Sequence, residues 1–169
     1  MANTPKTFNA RELLEIAVQI EVNGSAYYAR MAELAQSPKV KEVFTQLAKA
    51  ERQHIIDFQA IRDRLGDEEF EIPQEYQSPE ITMYLNAFSD GRIFPNWGAA
   101  EEVVKEITSD LEALGHAVNF EKDSIIFFHE IYDILPPDHP DRQAVGELIR
   151  QEKVHISRLF TIISSLRQS

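Results

Sequence analysis

The chain has 169 residues, 43% of them hydrophobic and 27% charged, which is enough for a single globular domain over residues 1–169 with a sizeable core. A formal net charge of −11 argues against a nucleic-acid groove or an anionic membrane surface as partner. Because the chain has no cysteine, disulfides, thiol nucleophiles, iron–sulfur clusters and zinc–thiolate sites are excluded, and any bound metal must be held by oxygen and imidazole.

Two long helices are predicted in the first half of the chain. The first covers about 9–36 and begins at Asn9, which is placed to form a capping box with Glu12. The second covers about 37–66 and has a proline, Pro38, at its first helical position. Because the joint between them is short, the two helices should form an antiparallel hairpin.

The second half of the chain predicts a similar hairpin. Its first helix, the third long one, covers about 109–135, with Ser109 and Glu112 placed to form another capping box. The fourth long helix begins around 138–140 and runs nearly to the C-terminus.

The segment between the hairpins is much longer than a tight turn between helices. It predicts two short helices, 78–91 and 96–107, with looser chain around them. A connection of this length suits a crossover along a bundle, so we expect an all-α four-helix bundle with a long crossover between helices two and three. The crossover is rich in aromatic side chains, which predict packing on the bundle and on a second subunit of a homodimer: Phe70, Tyr76, Tyr84, Phe88, Phe94 and Trp97.

The inward faces of the helices repeat along the chain. In helix one they are Leu14, Ala17, Glu21, Gly24, Tyr28, Met31 and Ala35, and in helix two Phe44, Leu47, Glu51, His54, Phe58, Ile61 and Leu65. Helix three has its matching residues at an offset of 100, and helix four matches helix two at an offset of 101. Alternating steps of three and four residues are typical of the seam of a four-helix bundle, so the chain is interpreted as a duplicated helical hairpin.

Glutamate and histidine stand on these apolar faces in the pattern E…ExxH, once in each hairpin. The two glutamates are 30 residues apart in the first copy and 31 in the second. Four carboxylates converging in a core would repel one another and lose hydration, whereas two divalent cations would balance their charge. We therefore prefer a two-metal site to solvated or ordinarily hydrogen-bonded residues, with the ligands Glu21, Glu51, His54, Glu121, Glu152 and His155.

The ligand types narrow the choice of metal. Carboxylate and imidazole without thiolate suit iron, manganese or zinc, and a carboxylate-bridged pair with one histidine per ion is typical of di-iron and di-manganese bundles. We expect Glu51 and Glu152 to bridge the ions, with Glu21 and Glu121 as terminal ligands, one on each. Two iron ions per chain are the predicted cofactor, with manganese or zinc as alternatives.

Four stretches of the chain resemble the rubrerythrin family of the ferritin-like superfamily. EVNGSAYYARMAELA and FEKDSIIFFHEI are similar to that family's first and third helices, and LAKAERQHIIDF and IRQEKVHISRLF to its ExxH helices. The resemblance implies a ferritin-like bundle with a six-ligand di-iron centre. It also implies reduction of hydrogen peroxide, as in the peroxidases of the family, or ferroxidase and iron-storage activity, as elsewhere in the superfamily.

Two departures from the family pattern bear on function. Rubrerythrins proper have a rubredoxin domain with four cysteines, which this chain lacks, so electrons would come from a separate donor protein. They also have a further glutamate one turn after the helix-three ligand, where this chain has Ser124, with Gly24 as its counterpart. The resemblance therefore supports the metal centre more directly than the peroxidase reaction.

Several neighbours of the ligands have two interpretations. Ala17 and Gly24 flank Glu21, and such small residues serve either close helix packing or a space where oxygen or peroxide reaches the metals. Tyr28 is the candidate catalytic residue, as a hydrogen-bond donor or electron relay near one metal. The alternative is a packed aromatic side chain whose hydroxyl reaches a nearby polar partner, and its counterpart is Phe128. Possible partners of the ligand histidines are Asp57 and Asp123, whereas surface or cap roles are predicted for His116, His129 and His139.

The leading functional hypothesis is a di-iron oxidoreductase that reduces hydrogen peroxide or dioxygen with electrons from an external donor, as in a response to oxidative stress. Iron handling by ferroxidation and storage is the alternative, and a purely structural metal site or oxygenation of an organic molecule stays open. No apolar run is long enough for a membrane span and the polar start lacks a signal-peptide core, so a cytoplasmic protein is expected.

Overall fold

A computed structural model describes residues 9–65, 73, 76, 78–89 and 103–168 of the chain. All regular structure in these residues is helical. Residues 103–106 form a short helical turn before the third long helix. The main helices of this part of the chain are α1 (Ala10–Leu34), α2 (Pro38–Leu65), α3 (Pro79–Ser89), α4 (Asp110–Ile134) and α5 (Pro140–Arg167).

The four long helices pack side by side as the predicted bundle. Helix α1 contacts α2 and α4, and α5 contacts α2 and α4, so the order around the bundle is α1, α2, α5, α4. Tyr27, near the end of α1, reaches Ala113 in the first turn of α4, and Val40 of α2 lies in the same core cluster. Helices α2 and α4 therefore start at the same end of the bundle, which confirms the long crossover between the hairpins.

The helix starts follow local capping chemistry. The predicted box at α1 is present, because the Asn9 side chain accepts from the Glu12 amide at 2.8 Å and the Glu12 carboxylate accepts from the Asn9 amide at 3.1 Å. The box predicted at α4 is only half formed. Ser109 accepts from the amide of Glu112, but that glutamate's carboxylate accepts from Thr108 instead.

Two aspartates tie the hairpins together at opposite ends of the bundle. Asp110, at the start of α4, accepts from the amide of Gln36 at 3.0 Å and the amide of Ser37 at 2.7 Å, between α1 and α2. At the other end Asp141 of α5, which is buried, accepts from the guanidinium of Arg64 in α2, with the Nε contact at 3.0 Å. Each tie joins a residue of one hairpin to the other.

The apolar core is divided into two layers. The first apolar layer surrounds the start of α1 and the end of α2, and the second surrounds the end of α1 and the start of α2. Large fully buried members of the first layer are Leu13, Leu14, Phe58, Ile61, Phe127 and Phe128, and those of the second are Tyr27, Tyr28, Met31, Phe44, Leu47 and Leu114. Burial of this much apolar surface on both sides fixes the level between the layers.

The predicted inward seam is confirmed except at Gly24 of α1 and at Ala35 just after it, which are half-buried, and near the end of α5. There Ile163 is buried, whereas the predicted Ile162 and Leu166 are half-buried. An α-helix has 3.6 residues per turn, so a seam with a strict 3.5-residue repeat drifts around it over several turns.

Part of the crossover prediction lies outside the described residues. The predicted helix 78–91 is observed as α3, and of the predicted helix 96–107 only residues 103–106 are described as helical. Tyr76 and Tyr84 pack against the first apolar layer. The side chains of Phe70, Phe88, Phe94 and Trp97 lie outside the described part of the chain. None of the described helices is long and apolar enough to cross a membrane.

Candidate metal centre

The six predicted ligands meet in the level between the two apolar layers. The glutamates come one from each long helix, and the histidines stand one turn after the glutamates of α2 and α5. None of the six is more than 4% exposed, so the cluster is shielded from bulk water. The residues are Glu21, Glu51, His54, Glu121, Glu152 and His155.

These residues form two overlapping groups whose potential ligand atoms lie within 4.8 Å of one another. One group contains Glu21 and His54, the other contains Glu121 and His155, and both contain Glu51 and Glu152. The two shared carboxylates are the ones for which bridging positions were predicted, and the unshared ones are those predicted to be terminal.

Each shared carboxylate directs one of its two oxygens to His54 and the other to His155. The Nδ1 atom of His54 lies 2.7 Å from Oε1 of Glu152 and 3.4 Å from Oε2 of Glu51. The Nδ1 atom of His155 lies 2.8 Å from Oε2 of Glu152 and 3.5 Å from Oε1 of Glu51. The two rings are stacked, with centroids 5.4 Å apart. This arrangement suits carboxylates that bridge two cations, each cation also bound by one imidazole.

The outer carboxylates complete each group. Oε2 of Glu21 lies 3.5 Å from Nδ1 of His54, and Oε1 of Glu121 lies 3.6 Å from Nδ1 of His155. Burial raises the pKa of Glu21 well above its ordinary value, and the charges of Glu51 and Glu152 raise it further. Burial, followed by the charges of Glu152 and Glu51, likewise raises the pKa of Glu121.

Burial and the neighbouring carboxylates have opposite effects on the pKa values of the two histidines. Burial alone would lower the pKa of His155, but contacts with Glu121, Glu152 and Glu51 raise it to about 11. The pKa of His54 is also raised far above its ordinary value by its carboxylates, against the effect of burial. The raised pKa values favour protonated imidazoles in the metal-free cluster, and metal binding would displace those protons.

Several buried ligand atoms have no hydrogen-bond partner among the described residues. They include both oxygens of Glu21, Oε1 of Glu51, Oε1 of Glu152 and Nδ1 of His54; the short contact between the last two lacks hydrogen-bond geometry. Buried carboxylate oxygens without donors are costly. Two divalent cations would engage these atoms and balance the four negative charges, so the residues fit a two-metal centre.

One outer ligand differs from the other in its hydrogen bonding. The hydroxyl of Tyr28 on α1 donates to Oε1 of Glu121 on α4 at 2.6 Å. Its counterpart Phe128 has no hydroxyl and packs against Phe58, with ring centroids 4.6 Å apart. Tyr28 is thus both the packed aromatic and the donor that the sequence left as alternatives, and its partner is across the bundle. The neighbouring Tyr27 also points to α4, where its hydroxyl donates to the carbonyl of Ala113 at 2.9 Å.

The hydrogen-bond partner of His54 is a residue that the sequence prediction missed. Nε2 of His54 lies 3.0 Å from the side-chain oxygen of Gln151. Neither predicted candidate bonds to a ligand histidine among the described residues, and Asp57 accepts from Gln53 instead, at 3.0 Å. The sequence did contain a sign of this role, because Gln151 precedes its ExxH ligand pair where the matching residue of the first hairpin is Ala50.

A small cavity of about 20 Å³ lies beside the cluster. A space of this size admits one small molecule of about the size of water. Its lining includes ligands and the small residues on one side of them: Ile20, Glu21, Asn23, Gly24, Tyr28, Glu51, Phe120, Glu121 and Ser124. By contrast Ala17 and Ala117, the other small residues flanking the ligands, are fully buried in the apolar layers.

The other three histidines lie away from the cluster. His129 is exposed and His116 is half-buried. His139 caps α5, where its Nδ1 accepts from the amide of Asp141 at 3.1 Å. The predicted cap role is therefore confirmed for His139.

Comparisons with known proteins agree with this architecture. The rubrerythrin family model matches residues 12–89. A crystal structure from Thermotoga maritima, described as a ferritin-like diiron-carboxylate protein, superposes with a TM-score of 0.63 and 23% sequence identity, covering 94% of this chain and 96% of that one. A search of curated proteins finds no match. The chain is therefore a ferritin-like helical bundle, and it resembles the rubrerythrin family in sequence over α1 to α3.

Proposed function

We propose that this chain is a di-iron oxidoreductase that reduces hydrogen peroxide or dioxygen with electrons from a separate donor protein. The proposal rests on the buried cluster in which Glu51 and Glu152 each direct one oxygen to His54 and the other to His155. The rubrerythrin match over 12–89 and the diiron-carboxylate protein of similar fold support iron as the metal. Removal of oxidants in the cytoplasm is the proposed role.

The residues would hold two ions in a defined way. Glu51 and Glu152 would bridge them, with Glu21 and His54 on one ion and Glu121 and His155 on the other. A reduced iron pair supplies two electrons together, and with two protons these convert one hydrogen peroxide molecule to two waters. The apolar layers above and below exclude bulk water from this chemistry.

The chain's own residues prepare one side of the centre for a small oxidant. Gly24 and Ser124 leave the cavity beside the ligands, on the side where Tyr28 donates to Glu121. The Tyr28 hydroxyl holds one oxygen of Glu121, so Tyr28 is a positioning residue for that ligand. Glu21 accepts no comparable hydrogen bond from the described residues.

Anaerobic loading with ferrous iron tests the proposal. The purified chain should bind two ferrous ions, and mixing with peroxide or dioxygen should oxidise them faster than matched free ferrous iron, without release of a one-electron radical. A redox dye of low potential stands in for the donor and should restore the ferrous state over repeated cycles. Oxidation at the rate of free iron would contradict the proposal.

The same sample separates this function from iron storage. A ferroxidase with storage would take up far more than two irons per chain and would form a large shell, whereas the proposed enzyme stops at two and forms a homodimer. Size-exclusion chromatography with iron counting distinguishes these results. A metal site with only a structural role would bind two ions and stabilise the fold, yet would show no turnover with either oxidant.

A further inference from the structure

Gln151 lies where its side chain can determine which nitrogen of the His54 ring carries the proton. It lies on α5 immediately before Glu152 and is half-buried. Its side-chain oxygen is 3.0 Å from Nε2 of His54, while Nδ1 of the same ring faces the carboxylates. Because an amide oxygen can only accept, this contact places the ring proton on Nε2 when the imidazole is neutral, which leaves the lone pair of Nδ1 directed into the cluster.

A second contact fixes the orientation of the Gln151 amide. Its nitrogen donates to Oε1 of Glu147 at 3.2 Å, one turn earlier on α5. Glu147 is held in turn by Arg150, whose Nε donates to Oε2 at 2.9 Å. With a carboxylate on its nitrogen side, the amide must turn its oxygen towards His54. A short polar chain therefore runs from the buried imidazole to the protein surface.

The first hairpin has no glutamine at the position that matches Gln151. The offset of 101 that relates α2 to α5 places Ala50 opposite Gln151, and alanine has no side-chain acceptor. The two histidines therefore share Glu51 and Glu152 as neighbours, but only His54 has a glutamine acceptor on its remote nitrogen among the described residues.

We propose that Gln151 is a positioning residue that holds His54 in the tautomer binding metal through Nδ1, and so makes the His54 metal position different from the His155 position. This inference rests on the proposed two-metal centre. An imidazole oriented by a hydrogen bond on its remote nitrogen is a better ligand, and loss of such a partner lowers metal affinity by about 10- to 100-fold. Loss of Gln151 should therefore lower the metal affinity of the His54 position and leave that of the His155 position unchanged.

Cobalt(II) is a suitable probe because it is paramagnetic and gives shifted proton signals for each bound imidazole. The variants are Gln151→Ala, which reproduces the residue at the matching position, and Gln151→Glu, which keeps an acceptor oxygen. The control is Gln53→Ala, because Gln53 is adjacent to His54 in sequence but bonds to Asp57. Cobalt binding is followed by absorption, and the imidazole N–H signals by proton NMR in water and in deuterium oxide.

The unaltered chain should bind two cobalt ions and give two sets of shifted imidazole signals. In Gln151→Ala one binding step should weaken about 10- to 100-fold, and the N–H signal of one set should exchange faster or disappear while the other set persists. Gln151→Glu should retain both sets, and Gln53→Ala should match the unaltered chain. Equal behaviour of Gln151→Ala and Gln53→Ala would overturn the role of Gln151 and leave the metal centre standing. Failure of the unaltered chain to bind two ions would overturn the metal centre as well.

Discussion

The two hairpins of this chain supply the same ligands but different surroundings. Each contributes two glutamates and one histidine at matching positions, and together these make the buried cluster. Around them the first hairpin has Tyr28 where the second has Phe128, and the second has Gln151 where the first has Ala50. The two hairpins therefore have the same metal-ligand residues, which the charge of the site requires, and differ in residues that surround those ligands.

The two differences act across the interface between the hairpins. Tyr28 of the first hairpin donates to Glu121 of the second, and Gln151 of the second contacts His54 of the first. As a result each proposed metal position has one ligand with an added hydrogen bond, but the kind of ligand differs. On one side the histidine has this support, and on the other the carboxylate has it.

Removing the features that the hairpins share should have the largest effect. The double variant Glu51→Ala with Glu152→Ala deletes both carboxylates common to the two groups, so binding of both metal ions should fall below detection by elemental analysis after anaerobic loading. Glu42→Ala is a matched control, because Glu42 is an exposed glutamate on α2. Retention of two tightly bound ions by the double variant would show that other residues hold them.

Exchanging Tyr28 and Phe128 tests the first difference between the hairpins. Tyr28→Phe removes a hydrogen bond to a buried carboxylate and should lower the free energy of unfolding by about 1 to 3 kcal/mol in chemical denaturation of the metal-free chain. Because the two hairpins are related by the duplication, adding Phe128→Tyr should provide a hydroxyl for Glu21 and recover part of the loss.

The metal-loaded exchange variants give a second measurement. With cobalt(II) bound, Tyr28→Phe should alter the set of imidazole signals that persists in Gln151→Ala, because Glu121 belongs to the His155 group. If both substitutions altered the same set, the assignment of Tyr28 and Gln151 to different metal positions would be wrong.

Filling the cavity beside the ligands should affect reactivity more than stability. A β-carbon added at Gly24 would lie 3.7 Å from the Cγ atom of Glu51, which is an ordinary contact, so Gly24→Ala should fold and bind two irons. It would occupy space in the small cavity and should slow oxidation of the ferrous protein by peroxide several-fold in stopped-flow measurements. Gly115→Ala is the control, because the added carbon meets nothing within 4 Å. Both alanines should gain up to about 1 kcal/mol from helix propensity, so equal oxidation rates would exclude the cavity as the route of the oxidant.

The smallest effects should come from the ties between the hairpins. Asp110→Ala removes an acceptor from two backbone amides and should lower the free energy of unfolding by about 1 to 2 kcal/mol. Asp141→Asn weakens an ion pair whose arginine is 56% exposed, and should cost less than about 1 kcal/mol. Denaturation at low and high salt provides the measurement, since only the loss at Asp141 should shrink with salt. A larger loss for Asp141→Asn than for Asp110→Ala would reverse this order.

Much of the architecture could be predicted because it follows from periodicity. Apolar residues in steps of three and four place each helix face, and proline and capping residues mark the starts of the helices, so the bundle and its crossover follow from the sequence. The presence of Glu21 and Glu121 at one level of the bundle follows from the same repeat, because a duplicated hairpin brings matching positions to one level. Local choices were less predictable. At α4, for example, Glu112 bonds to Thr108 rather than closing a box with Ser109.

The environment of the ligands could be predicted only in part. The sequence left two roles open for Tyr28 and named no partner for its hydroxyl, which donates to Glu121 across the bundle. Charged residues were favoured as partners of the histidines, whereas the observed partner is the neutral Gln151. Both outcomes depend on side-chain direction between packed helices, which spacing along a single helix does not define.

The position of these contacts has an evolutionary consequence. In a symmetric dimer of one hairpin, any substitution occurs twice, so a tyrosine gained above one outer glutamate would also be gained above the other. Joining two hairpins in one gene removes that constraint. Tyr28 and Gln151 each occur in one copy only, which is a freedom that the covalent crossover provides and a two-chain ancestor would lack.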